Sequence, residues 1–225
     1  MNGSTLAERY GAIRRSLPPH VKLIAVSKTR SVEEIKALYD LGHRAFGENY
    51  PQELREKQPL LPADIEWHFI GHLQTNKVKY IAGFVQLVHA VDSERLLDEL
   101  EKRAAAHDRV IGVLIQVHIA EEETKHGFSP KELRTAIQQW SPWRWPHIQL
   151  RGLMGMATFT EDQAQVHREF AELSRLFEEI HGSFPIPPEQ FDTLSMGMSG
   201  DVGIAIAEGS TMVRIGTALF GERPA

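Results

Sequence analysis

Cysteine is missing altogether from the 225 residues of this chain. Its absence excludes a disulfide framework, thiolate zinc sites, iron–sulfur ligation and a Cys nucleophile, and it fits a reducing compartment. Long hydrophobic runs are missing too. No stretch approaches the roughly 18 consecutive apolar residues of a membrane-spanning helix. The start, Met1-Asn2-Gly3-Ser4-Thr5-Leu6, has neither the charged nor the apolar region of a secretory signal. Positive charge is in deficit, with 25 Lys and Arg against 30 Asp and Glu and a formal net charge of −5. A nucleic-acid binder usually shows a basic face, so none is expected here. There is no Gly-rich dinucleotide fingerprint and no Walker loop. What remains is a chain with 42% hydrophobic residues, ample for a core, and the expectation is a globular cytoplasmic protein.

Two periodicities alternate along the chain. Short runs rich in Val and Ile read as strands, and each is followed by a helical pattern. The strand runs are Val21–Ser27, Arg44–Asn49, Glu66–Gly71, Leu87–Val91, Val110–Ile119, Gln149–Met156, Thr193–Met198 and Met212–Gly216. Ser31 with Glu34 and Ser129 with Glu132 form capping boxes that open two of the helices, and Ser93 caps a third. A polar helix over roughly residues 4–16 precedes the first strand. The runs show little alternation, which means strands buried on both faces, hence a parallel sheet with helical crossovers. Eight such units are most economically a closed α/β barrel of the (β/α)8, or TIM, type with an extra N-terminal helix. A doubly wound open sheet is the rival. No linker or low-complexity tract divides the chain, so residues 1–225 are expected to form one domain. The stretch from His181 to Gln190, with its three prolines, reads as a loop within the seventh unit. Trp140, Trp143 and Trp145, around Pro142 and Pro146, read as a packed loop.

In such a barrel, chemistry belongs at the C-terminal ends of the strands. Lys28 stands at the end of the first. Desolvation there would lower its pKa and make its amine nucleophilic toward an aldehyde or ketone. A Lys leading out to solvent is the alternative. Ser195-Met196-Gly197-Met198-Ser199-Gly200-Asp201 runs from the seventh strand into a helix and offers hydroxyls, glycines and a helix start, the parts of a phosphate site. Gly216 and Thr217 repeat the theme after the eighth strand. The competing reading is an ordinary N-cap by Ser199 or Asp201. Arg214 shares an inward face with Gly216 by alternation, so it is either a ligand contact or half of a buried ion pair. The histidines, His68, His72, His89 and His118, lack metal-ligand spacing, and no metal is expected. Met154, Met156, Met196 and Met198 read as core filling.

Val26-Ser27-Lys28-Thr29, Phe46-Gly47-Glu48-Asn49-Tyr50, Trp67-His68-Phe69-Ile70-Gly71, Leu114-Ile115-Gln116-Val117, Arg151-Gly152-Leu153-Met154, Ser195-Met196-Gly197-Met198-Ser199 and Val213-Arg214-Ile215-Gly216-Thr217-Ala218 together resemble the pyridoxal phosphate homeostasis protein family, also called the proline synthetase co-transcribed family. The resemblance spans nearly the whole chain. It implies a barrel similar to the N-terminal domain of alanine racemase and pyridoxal 5'-phosphate (PLP) as cofactor. It implies further that Lys28 holds the PLP aldehyde as a Schiff base. Ser195, Ser199, Gly216 and Thr217 would lie around the phosphate, Arg214 would face the pyridine nitrogen, and Asn49 would border the cofactor. His72 stands where many bacterial relatives carry Pro and receives no role. The implied function is intracellular PLP homeostasis, that is buffering, carriage or delivery, without turnover. PLP-dependent apo-enzymes are the expected recipients and a monomer the expected state, because no residues remain for the second domain that alanine racemases append. The alternatives are a weak PLP enzyme of racemase type, with Tyr50 or His72 as a candidate second base, and a cofactor-free barrel that uses Lys28 as an aldolase does.

Overall fold

Three capping boxes open helices in the computed structural model, which describes residues 4–121, 126–183 and 189–222. Thr5 and Glu8 start α1 (Leu6–Ser16), Ser31 and Glu34 start α2 (Val32–Asp40), and Ser129 and Glu132 start α5 (Pro130–Gln138). In each, the hydroxyl accepts from the amide of the third helical residue while the Glu carboxylate accepts from the cap's own amide, which satisfies two otherwise unpaired donors. Pro51 opens α3 (Pro51–Lys57), where its missing N–H costs nothing. Ser93 caps α4 (Glu94–Ala106). Asp162 accepts from the amides of Ala164 and Gln165 and so fixes the start of α6 (Gln163–Ser183). The expected loop from His181 onward is therefore helical through Ser183, and residues 184–188 lie outside those described. Short helices α7 (Val202–Ala207) and α8 (Thr217–Phe220) complete the set. The third crossover is a 3-10 helix, Thr75–Tyr80. Among the described residues no helix is long and apolar enough to cross a membrane.

Eight strands, β1 (Lys22–Val26), β2 (Ala45–Glu48), β3 (Glu66–Phe69), β4 (Leu87–Val91), β5 (Ile111–Gln116), β6 (Ile148–Met154), β7 (Thr193–Ser195) and β8 (Met212–Ile215), pair in parallel and in chain order, and β8 closes onto β1. The closed barrel replaces the open-sheet rival. Leu23, Ala25, Phe46, Phe69, Val113 and Val213 face the helices and join the main core, whereas Ile24, Ala45, Leu87, Leu114, Met154 and Met212 form a second, smaller cluster inside the barrel. This is the two-sided burial that the unalternating runs imply. The strands are shorter than their apolar runs because residues beyond Gln116 and Ser195 leave the ladder for the mouth of the barrel. Gly152, at φ +149°, lies where an added Cβ would come 1.8 Å from the Thr193 carbonyl oxygen, so only glycine lets β6 meet β7.

The N-terminal helix α1 packs near α8, and Arg9 donates to the carbonyls of Leu219 and Phe220 at 2.8 and 3.1 Å. Trp145 is buried and tilts against Trp140 at 4.9 Å, as expected of a packed loop, but Trp143 is almost wholly exposed. Of the four methionines read as filling, Met154 and Met196 are buried, Met156 packs partly against the inner cluster, and Met198 is exposed at the mouth.

Candidate functional site

Strand order brings the ends of β7, β8, β1 and β2 side by side around one arc of the C-terminal mouth. Every residue singled out in the sequence for cofactor contact belongs to these four strands or to the turns that follow them. Ala25 registers with Ile215, so the turns after β1 and β8 are neighbours. At Gly216 an added Cβ would press on Val26 at 3.3 Å, so a small residue there lets the two turns lie close.

Lys28 is half-buried in the turn that leaves β1, between two residues that are held firmly. On one side Ser27 is fully buried, and its hydroxyl donates to Glu48 at 2.7 Å. On the other, Thr29 adopts φ 62°, a left-handed conformation costly for a β-branched residue. Its amide donates to Glu53 at 2.6 Å. Lys57 joins the two sides. From its buried position its Nζ donates to the Ser27 carbonyl and to Glu48, both at 2.9 Å, and to Glu53 at 2.6 Å. Burial pushes the Glu48 carboxyl up, while Lys57 pulls it back toward the charged form. Arg30, also buried, donates to the carbonyls of Gly221 and Glu222 and lies over the Phe220 ring at 5.4 Å. The turn carrying Lys28 is thus fastened to α3 on one flank and to the end of α8 on the other. Sequence reading missed Glu48, Glu53 and Lys57, although Glu53 and Lys57 stand one helical turn apart, the spacing of a helical ion pair.

Ser199 and Thr217 are exposed at the starts of α7 and α8. Neither helix has a side-chain cap, and in α8 the Leu219 and Phe220 amides donate to the Gly216 carbonyl, both at 2.9 Å. The ordinary N-cap reading is corrected here: Asp201 stands at the N-cap position and its carbonyl accepts from Ala205, but its carboxylate accepts from the Met198 amide at 2.5 Å and does not cap α7.

Two of the expected site residues, Arg214 and Ser195, lie inside the barrel. Arg214 is buried but forms no ion pair among the described residues. It donates to the Ser195 carbonyl at 2.9 Å, the Ser195 hydroxyl at 2.6 Å and the Gly155 carbonyl at 3.1 Å. Burial lowers its pKa to about 10, which still leaves it charged at neutral pH. Ser195, expected beside the phosphate, is fully buried on β7 with its hydroxyl engaged by Arg214 and, at 3.1 Å, by Nδ1 of His89. It is the last residue of β7, and its hydroxyl braces Arg214. Ser195 Oγ accepts from Arg214 and shares a further hydrogen bond with His89 Nδ1. His89 Nε2 is in turn hydrogen-bonded to His68 Nδ1 at 2.9 Å. Burial holds both histidines below the usual imidazole range.

Asn49 follows β2, and its buried Oδ1 has no hydrogen-bond partner among the described residues. It lines a cavity of about 340 Å³ with Tyr50, Gly71, His72 and Lys77. A larger cavity, about 460 Å³, opens at the opposite mouth, where the Arg151–Asp192 pair at 2.7 Å and the Lys22–Glu66 pair line it. Barrel chemistry belongs to the C-terminal face, so the smaller cavity is the relevant one.

The description "alanine racemase, N-terminal domain" matches residues 1–224. Fold and site thus define a barrel of the alanine racemase N-terminal type. The alanine racemase of Bartonella henselae, solved with covalently bound pyridoxal phosphate, shares this fold with a TM-score of 0.72 at 17% identity, over 98% of this chain and 60% of that one. PipY of Synechococcus elongatus is 36% identical over 96% of this chain and 100% of its own, with TM-scores of 0.89 without PLP and 0.85 with PLP bound. The pyridoxal phosphate homeostasis protein of Pasteurella multocida is 43% identical over 208 residues, 90% of this chain and 87% of that protein. This chain belongs to the pyridoxal phosphate homeostasis protein family.

Proposed function

We propose that this chain binds PLP at its C-terminal mouth and buffers, carries or delivers it, without catalytic turnover, as a cytoplasmic monomer. The observation that carries the reading is the arc of four strand ends. A primary amine on a locked turn, Lys28, sits beside two uncapped turns that offer amides, hydroxyls and glycine. The residues fit the cofactor. The starts of α7 and α8, which no side chain caps, suit a phosphate together with the Ser199 and Thr217 hydroxyls. The unpartnered Oδ1 of Asn49 borders the same mouth. PLP supplies an aldehyde that condenses with a primary amine and releases water. The chain's own residues then hold the molecule and orient it. Arg214, kept cationic and braced by Ser195, suits the ring nitrogen and disfavours its protonation, which weakens the electron sink that carbanion chemistry needs. Binding without turnover agrees with that choice and with the names its relatives carry.

The test is the visible absorption of purified protein mixed with PLP. The wild type should show a band that borohydride removes, with the label on Lys28, and Lys28→Ala should show none. A label elsewhere, or equal labelling of Lys28→Ala, overturns the assignment. Delivery predicts that the PLP-loaded protein restores an apo-enzyme faster than spontaneous release allows. A racemase-type reading has one observation in its favour, since Tyr50 and His72 line the cavity beside Asn49. Sustained α-proton exchange of amino acids in deuterated buffer would establish it in place of the carrier.

A further inference from the structure

Three loops at the same mouth converge on a cluster of metal-ligating side chains, of which His72 also lines the cavity beside Asn49. His72 follows β3, Asp92 follows β4 directly, and His126 belongs to the segment between β5 and α5. One ligand atom from each lies within 4.8 Å of the other two. His72 Nδ1 stands 3.1 Å from Asp92 Oδ2, and the His72 and His126 rings stack with centroids 4.4 Å apart and planes 20° from parallel. We propose that His72, Asp92 and His126 form a binding site for a divalent transition-metal ion, with zinc the occupant that fits best.

The donor set itself points to the ion class. Two imidazoles and one carboxylate suit Zn²⁺ and its neighbours, whereas Ca²⁺ and Mg²⁺ prefer all-oxygen shells. Three protein ligands leave a fourth tetrahedral position for water or for a ligand atom. The outer contacts are those expected around metal ligands, which are usually hydrogen-bonded into place. The second oxygen of Asp92 accepts from the Ser93 hydroxyl at 3.2 Å. The backbone carbonyl of His126 accepts from Nε2 of the buried Gln116 at 2.8 Å, so β5 fixes the height of that loop. Asp92 is the most enclosed of the three, and the two histidines are exposed. In a tetrahedral set with bonds of about 2.0–2.1 Å, the ligand atoms stand about 3.4 Å apart. Closing from the observed spread requires rotation of exposed imidazoles, with no movement of β3, β4 or β5.

A plain His–Asp ion pair with a second ring resting on it is the competing explanation, and metal titration separates the two. The inference does not depend on PLP, so the full-length protein is titrated without the cofactor, using ZnCl₂ in competition with a chromophoric chelator. One Zn²⁺ per chain is expected. His72→Ala and His126→Ala should each weaken binding by more than the about tenfold that loss of an outer-shell partner costs, and Ser93→Ala by about that amount. Co²⁺ in place of Zn²⁺ should give the intense visible bands of tetrahedral cobalt, and these should vanish in His126→Ala. Because His126 is exposed, that variant should keep the wild-type circular dichroism and metal-free melting temperature, so a lost site is not mistaken for a lost fold. Absence of stoichiometric binding overturns the proposal. So does wild-type affinity in both His variants, which would place the ion elsewhere on the surface.

Discussion

Glu48 is the residue whose surroundings set the sharpest demand. Its carboxylate is wholly enclosed, and Lys57 is the cation that balances it. Lys57→Met should therefore cost about 3–5 kcal/mol in urea unfolding, because it strands a buried charge. The double variant Glu48→Gln/Lys57→Met should recover most of that loss. The sign of the pH effect follows from the raised pKa of Glu48. A carboxyl that ionises later in the folded state than in the unfolded one favours folding below its unfolded pKa, and that advantage disappears as pH rises through the folded value. The Lys57→Met deficit should accordingly be larger at pH 8 than at pH 5, and an equal deficit at both would refute the account. Thr29 makes a second demand. Thr29→Gly removes left-handed strain worth about 1–2 kcal/mol and partly offsets it with added unfolded-state freedom. Its melting temperature should hold or rise. PLP should leave faster than from the wild type, as measured by stopped-flow trapping, if the strained turn is what steadies Lys28.

Among the elements, the capping boxes are local and the strand contacts are not. Ser31→Ala should destabilise by about 1 kcal/mol in chemical denaturation, the usual value of an N-cap hydroxyl. Gly152→Ala is a different matter. Its methyl group would overlap the Thr193 carbonyl on the neighbouring strand, so β6 and β7 would have to separate. The variant should be insoluble or fail to give a cooperative transition; a wild-type melting curve would show that the two strands can move apart at little cost. This element matters beyond its own strands, because Ser195, which braces Arg214, sits at the end of β7.

At the scale of the molecule, imidazoles are buried both beneath the helices and inside the barrel. His43 is buried beside Tyr10 and Phe46, and burial lowers its pKa to about 4. His68 and His89 are shifted in the same direction for the same reason. A base with a depressed folded pKa stabilises fully above its unfolded value near 6.5, and that stability is lost as pH falls toward the folded value. His43 alone should account for about 3 kcal/mol between pH 7 and 4. Unfolding free energy measured over that range should thus fall steeply, and His43→Gln should flatten the curve. An unchanged slope would mean that carboxylates alone drive the acid transition.

The sequence by itself determined the eight strands, the capped starts of α2, α4 and α5, and Lys28 at the end of the first strand. These rest on signals within a few residues of one another: apolar runs, Ser-x-x-Glu spacing and alternation along β8. The polar residues after β7 and β8 were legible for the same reason. Tertiary structure alone decided what each buried polar group touches. Ser195 reads as a phosphate-site residue from its place between β7 and the next helix, and only closure of the barrel brings its hydroxyl to His89, 106 positions away. Arg214 finds carbonyls where an ion pair was one of the two readings, and His72 meets Asp92 and His126 only because parallel strands bring their following loops to one rim. Local patterns fix where the backbone goes, whereas partners from distant strands exist only once the barrel has closed.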